Sequence, residues 1–187
     1  MKVEKVEVLY DGWEKNLLLT VRLERTGKVR TYQVGHHGDS SSVLVYDPAR
    51  RVAAMVFQHR ASQAWRGLSE RLMEIPSGLT DGEAPDVAAR REVLEEAGIR
   101  LTDIEHVGDF WVMPGVSTEL ASVYLAAYSA ADRVAAGGGV AGEDEDIDVR
   151  EVPLAELAAL ADSGRPMDLR LYATIQALRL RRPELFR

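Results

Sequence analysis

The sequence predicts an α/β protein with a small antiparallel sheet ahead of a larger sheet that is flanked by helices. Three observations support this fold class. Apolar and polar side chains alternate along residues 3–34, as expected for strands with one buried face. Three later runs are short, apolar and rich in Val, Tyr and Phe. Segments with helical spacing lie between and after these runs, so strands and helices share the second part of the chain.

The alternating part of the chain divides into the runs "KVEVLY", "LLLTVRLER" and "VRTYQVG", and "TGK" is a turn between the last two. We therefore expect two or three antiparallel strands. A sheet of this size is marginal alone, so it needs another surface to cover its apolar side. We place a boundary after residue 38, which gives an N-terminal sheet over 1–38 and a second domain over 39–187.

Strands of the second domain are expected in "SSVLVYD", "RVAAMVFQHR" and "ASVYLAAYS", where turn residues bound each apolar run. Helices are expected at about 85–97, 153–163 and 168–181. The segment "AAGGGVAGEDED" is low in complexity, and we interpret it as flexible, with its glycines as a hinge.

Composition limits the function classes. A chain of 187 residues with 46% hydrophobic residues is long enough to bury a core. The absence of cysteine excludes disulfides and thiolate metal sites. A net charge of -7 argues against a broad nucleic-acid footprint, because duplex binding normally needs a basic face. Since no apolar run has the length of a signal-peptide core or a membrane span, we expect a cytoplasmic protein that binds neither nucleic acid nor membranes.

The stretch "EIPSGLTDGEAPDVAARREVLEEAGI" concentrates negative charge in a predicted helix. Pro85 suits the first turn of that helix, and Gly98 suits the position after its end. Helical spacing places Glu92, Glu95 and Glu96 on one side. The apolar side chains on the opposite side, which the pattern predicts to be the buried face, are Val87, Val93, Leu94 and Ala97.

Two interpretations of this anionic face stay open at this point. It is a solvated surface partly offset by Arg91 and other basic groups, or it is a cation site. Three carboxylates at this spacing repel one another near the negative end of the helix dipole, so a bound cation would relieve their repulsion. Mg²⁺ and Mn²⁺ prefer oxygen ligands, and carboxylates on a rigid helix would hold either ion against a phosphate group.

The same stretch resembles the signature of the Nudix hydrolases, which reads Gly, five residues, Glu, seven residues, then Arg-Glu-apolar-x-Glu-Glu-x-Gly-apolar. Here Glu83 is followed after seven residues by "REVLEEAGI". The loop departs from the pattern, because only four residues separate Gly78 from Glu83.

Further segments, "QHR", "EIPSGL", "MPGVSTE" and "AGGGVAGEDEDIDV", resemble the branch of this family that hydrolyses ADP-ribose and GDP-mannose. The spacing of Pro114 after Gly98 is similar to the ADP-ribose enzymes, whereas the glycine run and the short loop are closer to the GDP-mannose enzymes. Both substrates stay open. The resemblance implies an α/β/α sandwich around a mixed sheet. It also implies a homodimer that exchanges the N-terminal sheet, so that each active site contains residues of both chains.

The resemblance assigns the metal site to the signature helix. It implies that Glu92 and Glu96 are the main ligands of Mg²⁺, with Glu95 beside them and the backbone carbonyl of Ser77 completing the site. Arg91 resembles the arginine that orients these glutamates by ion pairing.

Other matched positions would contact the substrate or carry the proton. Arg60 matches an arginine that contacts the diphosphate, and Glu74 helps to shape the substrate site. The resemblance also implies that Glu119, in "MPGVSTE", would be a further substrate-binding residue. Glu143 aligns with a general base on a mobile loop, and Glu145 resembles a nearby carboxylate that reaches the metals.

The implied activity is Mg²⁺-dependent hydrolysis of a nucleoside diphosphate sugar to a nucleoside monophosphate and a sugar phosphate. The alternative from another class is a non-catalytic Nudix domain that senses a nucleotide sugar, which would tolerate the loss of glutamates that are all present here. Dinucleoside polyphosphates and coenzyme A are weaker alternatives as substrates. We interpret the four histidines as structural and the three tryptophans as packing groups, with Trp65 as an alternative border of the nucleobase pocket.

Overall fold

A computed structural model describes residues 1–140 and 146–187. Its N-terminal part is a three-stranded antiparallel sheet, as the alternating pattern predicts. The strands are β1 (Lys2–Asp11), β2 (Lys15–Arg22) and β3 (Val29–His36). Sequence neighbours pair in this sheet, and the predicted "TGK" turn connects β2 to β3.

The second sheet holds the remaining strands. They are β4 (Ser40–Asp47), β5 (Val52–Gln58), β6 (Leu72–Glu74), β7 (Ser77–Leu79), β8 (Glu105–Trp111), β9 (Leu120–Ala127) and β10 (Asp148–Pro153). The order across the sheet is β10-β5-β4-β9-β8, while β6 pairs with β5 and β7 pairs with β4. The β4–β9 pair is parallel and the other pairs of described strands are antiparallel, so the sheet is mixed.

Helices complete the described chain. They are α1 (Ala61–Trp65), α2 (Pro85–Ala97), α3 (Leu154–Asp162) and α4 (Leu169–Arg181), with short 3₁₀ segments at Ala130–Asp132 and Pro183–Phe186. The three longer helices start and end within about one residue of the positions that their periodicity predicts. Among the described residues, no helix combines the length and the apolar character needed to cross a membrane.

The larger sheet is covered on both faces, which confirms the α/β/α sandwich. Alternate residues of β4 point in opposite directions. Val43 and Val45 pack in one cluster with α2, whereas Leu44 and Tyr46 pack in another with α3 and α4. All four side chains are buried, and full burial of one such side chain is worth about 1.5–3 kcal/mol relative to exposure. Strand β4 is therefore the common support of both helical layers.

Helix α2 departs from the predicted amphipathic pattern. Val87 and Leu94, expected on the buried face, are 48% and 37% exposed, whereas Glu96 is only 3% exposed. The helix packs on the sheet through small buried side chains such as Ala89 and Ala97. Val93 is the larger apolar side chain that α2 buries beside these alanines. Glu96 is buried because its carboxylate belongs to the site described below.

The sequence does not predict β8, β10 or the short elements α1, β6 and β7. Strands β8 and β10 lie at the two ends of the strand order, where a strand has a neighbour on one side only. Their sequences, "EHVGDFW" and "DVREVP", are mixed in polarity. Strands β6 and β7 have three residues each, too few for a period to show.

The N-terminal sheet meets the rest of the chain at the loop between β8 and β9. The Gly35 N–H donates to the Val116 carbonyl at 2.8 Å, and the Thr118 N–H donates to the Gly35 carbonyl at 3.1 Å. Strand β1, by contrast, carries large apolar side chains that are at least half exposed. These are Val3, Val6, Val8, Leu9 and Tyr10. In the single chain, β1 is therefore the least covered strand of this sheet.

Candidate active site

Helix α2 carries four charged side chains of the site, and residues at its two ends set its limits. Pro85 occupies its first turn, where a missing backbone N–H has no cost. Gly98 follows its last turn with a φ of 67°, a left-handed conformation that glycine adopts readily. The charged side chains therefore sit on a helix of defined start and end.

Arg91 joins the loop before α2 to three carboxylates. Its Nε donates to Glu83 at 2.9 Å, and its Nη1 donates to Glu92 at 2.7 Å and to Glu95 at 3.0 Å. Its Nη2 donates to the Leu79 carbonyl at 3.0 Å. Burial of the guanidinium by itself lowers the pKa of Arg91, but the hydrogen bond to Glu83 and the charge of Glu92 outweigh it and raise the pKa above its ordinary value. Arg91 therefore stays charged and orients the carboxylates around it.

Gly78 shows how a loop that is one residue short still closes on the helix. A Cβ at Gly78 would collide with the carboxylate of Glu92, which occupies the space beside the loop backbone. Glycine at this position leaves room for the Glu92 carboxylate, which a larger residue would displace from the loop. The four-residue spacing to Glu83 does not prevent that approach.

Glu96 is the buried acidic residue of α2. Its Oε2 accepts a hydrogen bond from the Ser77 N–H at 2.9 Å. Burying a carboxylate costs free energy unless it is hydrogen-bonded or paired. The hydrogen bond from Ser77 offsets part of this cost for Glu96. It also places the Glu96 carboxylate against the backbone of β7, next to the residue expected to supply a metal-binding carbonyl.

The donor chemistry here fits Mg²⁺ or Mn²⁺. Within residues 1–140 and 146–187, no three acidic or histidine side chains converge as a ready-made metal site. Mg²⁺ does not need such a cage, because it is usually held by one or two carboxylates together with water and substrate phosphates. Glu92 and Glu96, beside the backbone of Ser77, supply oxygen donors of that kind.

A cavity of about 690 Å³ opens beside these groups, within the size range of small-molecule sites. Six of the predicted site residues line it, namely Arg60, Glu74, Ser77, Arg91, Glu92 and Glu119. Glu95 and Glu96 do not line it, but they are joined to its wall through Arg91 and Ser77. The fold thus brings most of the predicted residues to one place.

Arg60 and Glu74 form an ion pair on the cavity wall. The Arg60 Nε donates to Glu74 Oε2 at 2.9 Å, and Glu74 is buried in β6. Arg60 itself is partly exposed, directly after β5. Because this pair uses only Nε, the two Nη groups of Arg60 can still donate to an anion in the cavity.

Glu119 is the centre of a second polar group on the wall. Its Oε1 accepts from the Ser40 Oγ at 2.6 Å, and its Oε2 lies 3.6 Å from the His37 Nε2. The Arg170 Nη1 lies 3.7 Å from Glu119 Oε1. Helix α4 therefore brings a third arginine to the cavity, beside Arg60 and Arg91.

The cavity also contains Arg170, His37 and Trp13, which the sequence does not mark as site residues. Each comes from a distant part of the chain, so no local motif marks it. Trp13 is 78% exposed and stacks on His37 with ring centroids 5.2 Å apart. The interpretation of the three tryptophans as packing groups is wrong, because Trp65 is 91% exposed and Trp111 is 61% exposed. Trp65 does not line this cavity.

A second cavity, of about 420 Å³, shares His37 and Glu119 with the first. It lies between the N-terminal sheet and the loop from β8 to β9. Its further polar lining residues include Glu14, Asn16, Gln33 and Ser117. The Asn16 Oδ1 and the His37 Nδ1 are buried without a hydrogen-bond partner among the described residues. This compartment suits a ligand group with several hydrogen-bonding atoms.

Glu143 and Glu145, the expected base and the expected metal-reaching carboxylate, lie outside the described residues. The described chain resumes at Asp146, whose carboxylate accepts from the Arg71 Nη2 at 2.6 Å. Strand β10 follows and pairs with β5, the strand that leads to Arg60.

Comparison with known proteins adds independent support. Residues 36–174 match the NUDIX domain family. A GDP-mannose pyrophosphatase of Enterobacter sp. (strain 638) is 31% identical over 186 residues, which cover 96% of each chain. One from Salmonella arizonae is 33% identical over 168 residues, or 88% of this chain and 87% of the relative. One from Citrobacter koseri is 33% identical over 137 residues, or 73% and 71% of the two chains. With the signature helix and its loop, this shows that the chain belongs to the Nudix hydrolases.

Proposed function

We propose that this Nudix hydrolase cleaves the diphosphate bond of a nucleoside diphosphate sugar, with GDP-mannose as the preferred substrate and Mg²⁺ as cofactor. The products are a nucleoside monophosphate and a sugar phosphate. The observation that carries the proposal is one cavity lined by Arg60, Arg170 and Glu92 of the signature helix. Two cations and a carboxylate in a small-molecule cavity suit a diphosphate held together with a divalent ion.

The choice of GDP-mannose rests on the relatives. Proteins named GDP-mannose pyrophosphatase match nearly the whole length of this chain. That likeness favours GDP-mannose over ADP-ribose, which the sequence motifs leave open. The adjoining cavity of about 420 Å³ offers additional room and amide groups for the neutral parts of such a substrate.

Arg60 and Arg170 would hold the diphosphate. Glu74 fixes Arg60 through Nε, so its guanidinium is positioned before substrate binds. Arg170 lies 3.7 Å from Glu119 and 3.9 Å from Asp168, and these long distances leave it room to turn toward a phosphate. The two arginines would reduce the repulsion between the diphosphate and an attacking water molecule.

Glu92, Glu96 and the backbone carbonyl of Ser77 would hold Mg²⁺, with Glu95 beside them. When bound, the ion would offset the charge of the diphosphate and acidify a water molecule. Arg91 contributes by position, because it fixes Glu92 and Glu95 in space and offsets their mutual repulsion.

Glu143 is our proposed general base, and Glu145 our proposed carboxylate near the metals, on family resemblance alone. As the water oxygen bonds to phosphorus, the base takes its proton, and the bridging oxygen leaves with the other phosphate. Glu119 is already hydrogen-bonded to Ser40 at 2.6 Å, so we assign it to positioning of the substrate.

We also propose a homodimer in which residues 1–38 form the shared surface and residues 39–187 form the catalytic domain. The exposed apolar side chains of β1 support this, because a three-stranded sheet with such a face is marginal alone. Trp13, in the turn after β1, lines the cavity. A shift of the N-terminal sheet would therefore alter the shape of the active site.

A substrate panel tests the proposal. Purified protein with Mg²⁺ is offered GDP-mannose, ADP-ribose, UDP-glucose, NADH and diadenosine polyphosphates, and products are measured by phosphatase-coupled phosphate release. We expect the largest kcat/KM for GDP-mannose. Faster turnover of ADP-ribose would overturn the choice of sugar nucleotide, and turnover of none of them would overturn the pyrophosphatase assignment.

A further inference from the structure

Helix α2 ends against residues 133–139, a segment that we call the glycine clasp. The last carbonyls of a helix have no partner within the helix and need one elsewhere. Here the Glu96 carbonyl accepts from the Gly138 N–H at 2.8 Å, and the Glu95 carbonyl accepts from the Gly139 N–H at 3.2 Å. The clasp therefore holds the backbone of the two residues whose carboxylates belong to the active site.

Arg133 brings a positive charge to the same end of the helix. Its Nη1 donates to the Ala97 carbonyl at 3.2 Å, and its Nη2 lies 3.5 Å from Glu151. Helix α2 has no basic residue in its own last turn. A cation at this end is favourable, because the helix dipole and the carboxylates of Glu95 and Glu96 both make it negative.

The clasp approaches the helix too closely for any residue but glycine at its centre. A Cβ at Gly137 would collide with the Glu96 carbonyl oxygen and come within 2.7 Å of the Ala97 carbonyl carbon. A Cβ at Gly98 would in turn collide with the Ala135 carbonyl and lie 2.8 Å from the Gly137 nitrogen. The glycine run, expected as a hinge, is thus fixed by backbone contact with α2.

We propose that the glycine clasp positions the Glu96 carboxylate for the Mg²⁺ site. Glu96 is held at both ends, with its backbone carbonyl bonded to Gly138 and its carboxylate bonded to the Ser77 N–H at 2.9 Å. Distances from a metal ion to its ligands stay within about 0.2 Å of their standard values. Any change that pushes the clasp away from α2 therefore reaches a metal ligand directly. This inference rests on the proposed Mg²⁺ site at Glu92 and Glu96.

The test compares two glycine substitutions of similar backbone cost. Gly137 has a φ of 77° and Gly164 has a φ of 70°, so alanine is strained at both. Alanine at 137 also collides with α2, whereas a Cβ at 164 meets nothing within 4 Å. Mg²⁺ affinity is measured by calorimetry without substrate, and the melting temperature is measured without metal. We expect Gly137→Ala to bind Mg²⁺ about 10-fold more weakly than Gly164→Ala, as for loss of a group that supports a metal ligand.

Equal Mg²⁺ affinity of the two variants would overturn the proposal. If Gly137→Ala does not fold, Arg133→Met and Arg133→Lys provide the same comparison at the other part of the clasp. We expect weaker Mg²⁺ binding for Arg133→Met and recovery for Arg133→Lys, and parent-like affinity of Arg133→Met would overturn the proposal. A parent protein that does not bind Mg²⁺ would instead overturn the metal site itself, so the two failures are distinguishable.

Discussion

The Glu96 carboxylate accepts a hydrogen bond of 2.9 Å from the Ser77 N–H, which lies 19 positions earlier in the sequence. This contact shows that Glu96 does not belong to a solvated anionic face of α2. A solvated face would leave its carboxylates exposed, yet Glu96 is 3% exposed and is bonded to the loop strand β7. The Glu96 carboxylate is therefore held inside the protein at the candidate active site.

Glu96→Gln should weaken Mg²⁺ binding and turnover together. Glutamine has nearly the same size and can still accept from the Ser77 N–H, but it carries no charge for the ion. We expect Mg²⁺ affinity to fall at least about 10-fold, while the unfolding free energy of the metal-free protein changes by less than about 1 kcal/mol. Calorimetric titration and urea denaturation measure the two effects. Parent-like Mg²⁺ affinity would show that Glu96 is not a ligand.

Glu143→Gln should act on proton transfer and leave the metal site intact. Turnover should fall about 10²–10⁴-fold, the range for loss of a general base, with Mg²⁺ affinity close to the parent value. The neighbouring Asp144→Asn makes the same change of charge and serves as the control. If steady-state kinetics show near-normal turnover for Glu143→Gln, the base is another residue, with Glu119 and Glu145 next to be tested.

Arg60→Ala should reduce both stability and substrate binding. It leaves the buried Glu74 carboxylate without its partner, at a cost of about 1–3 kcal/mol in unfolding free energy, and it removes a donor to the diphosphate. The double variant Arg60→Ala with Glu74→Gln removes the stranded charge. It should recover most of the stability measured in urea but keep the raised KM. Recovery of KM in the double variant would mean that Arg60 has only a structural role.

Val8→Glu should dissociate the proposed homodimer without unfolding the chain. Val8 is exposed in the single chain, so a charge there costs a monomer little, whereas it is costly inside an apolar interface. Light scattering after size-exclusion chromatography measures the mass. Lys5→Gln, also on β1, is the control for a surface change. A parent protein that is already monomeric would contradict the dimer.

Glu151 should make part of the stability depend on acid pH. The hydrogen bonds from Arg50, opposed by partial burial, lower the pKa of Glu151 below its ordinary 4.5. A lowered carboxylate pKa stabilises the fold above the unfolded value, and this stabilisation is lost as pH falls through the lower folded value. Parent and Glu151→Gln should thus differ by about 1 kcal/mol at pH 7. Denaturation at several pH values should show the difference shrinking below pH 4.5, and a constant difference would contradict the account.

The elements with a strong period or clear end signals could be predicted from sequence. Helix α2 has Pro85 and Gly98 at its ends, and β4 contains the apolar run "VLVY" in a strand that is buried on both faces. Strands β8 and β10 could not be predicted, because they lie at the two ends of the strand order and their sequences are mixed in polarity. The burial of Glu96 was also unpredictable, since it depends on a contact with β7 rather than on helical spacing.

The candidate site likewise contains some residues that the sequence could predict and others that it could not. Residues inside one motif, such as Arg91 and Glu92, could be named because the family signature is local in sequence. Arg170 and His37 reach the cavity from α4 and from the end of the N-terminal sheet, and only the folded chain brings them to Glu119. The cytoplasmic location and the domain boundary after residue 38 stay predictions.

The Mg²⁺-dependent pyrophosphatase activity is best measured by ³¹P NMR of GDP-mannose hydrolysis, with parent and Glu96→Gln proteins at several Mg²⁺ concentrations. The parent should convert the diphosphate signals into those of GMP and mannose 1-phosphate in an Mg²⁺-dependent reaction. Glu96→Gln should be strongly impaired at low Mg²⁺ and partly restored at high Mg²⁺. Intact GDP-mannose after prolonged incubation of folded, Mg²⁺-saturated parent protein, or equal rates for the two proteins at every Mg²⁺ concentration, would contradict these predictions.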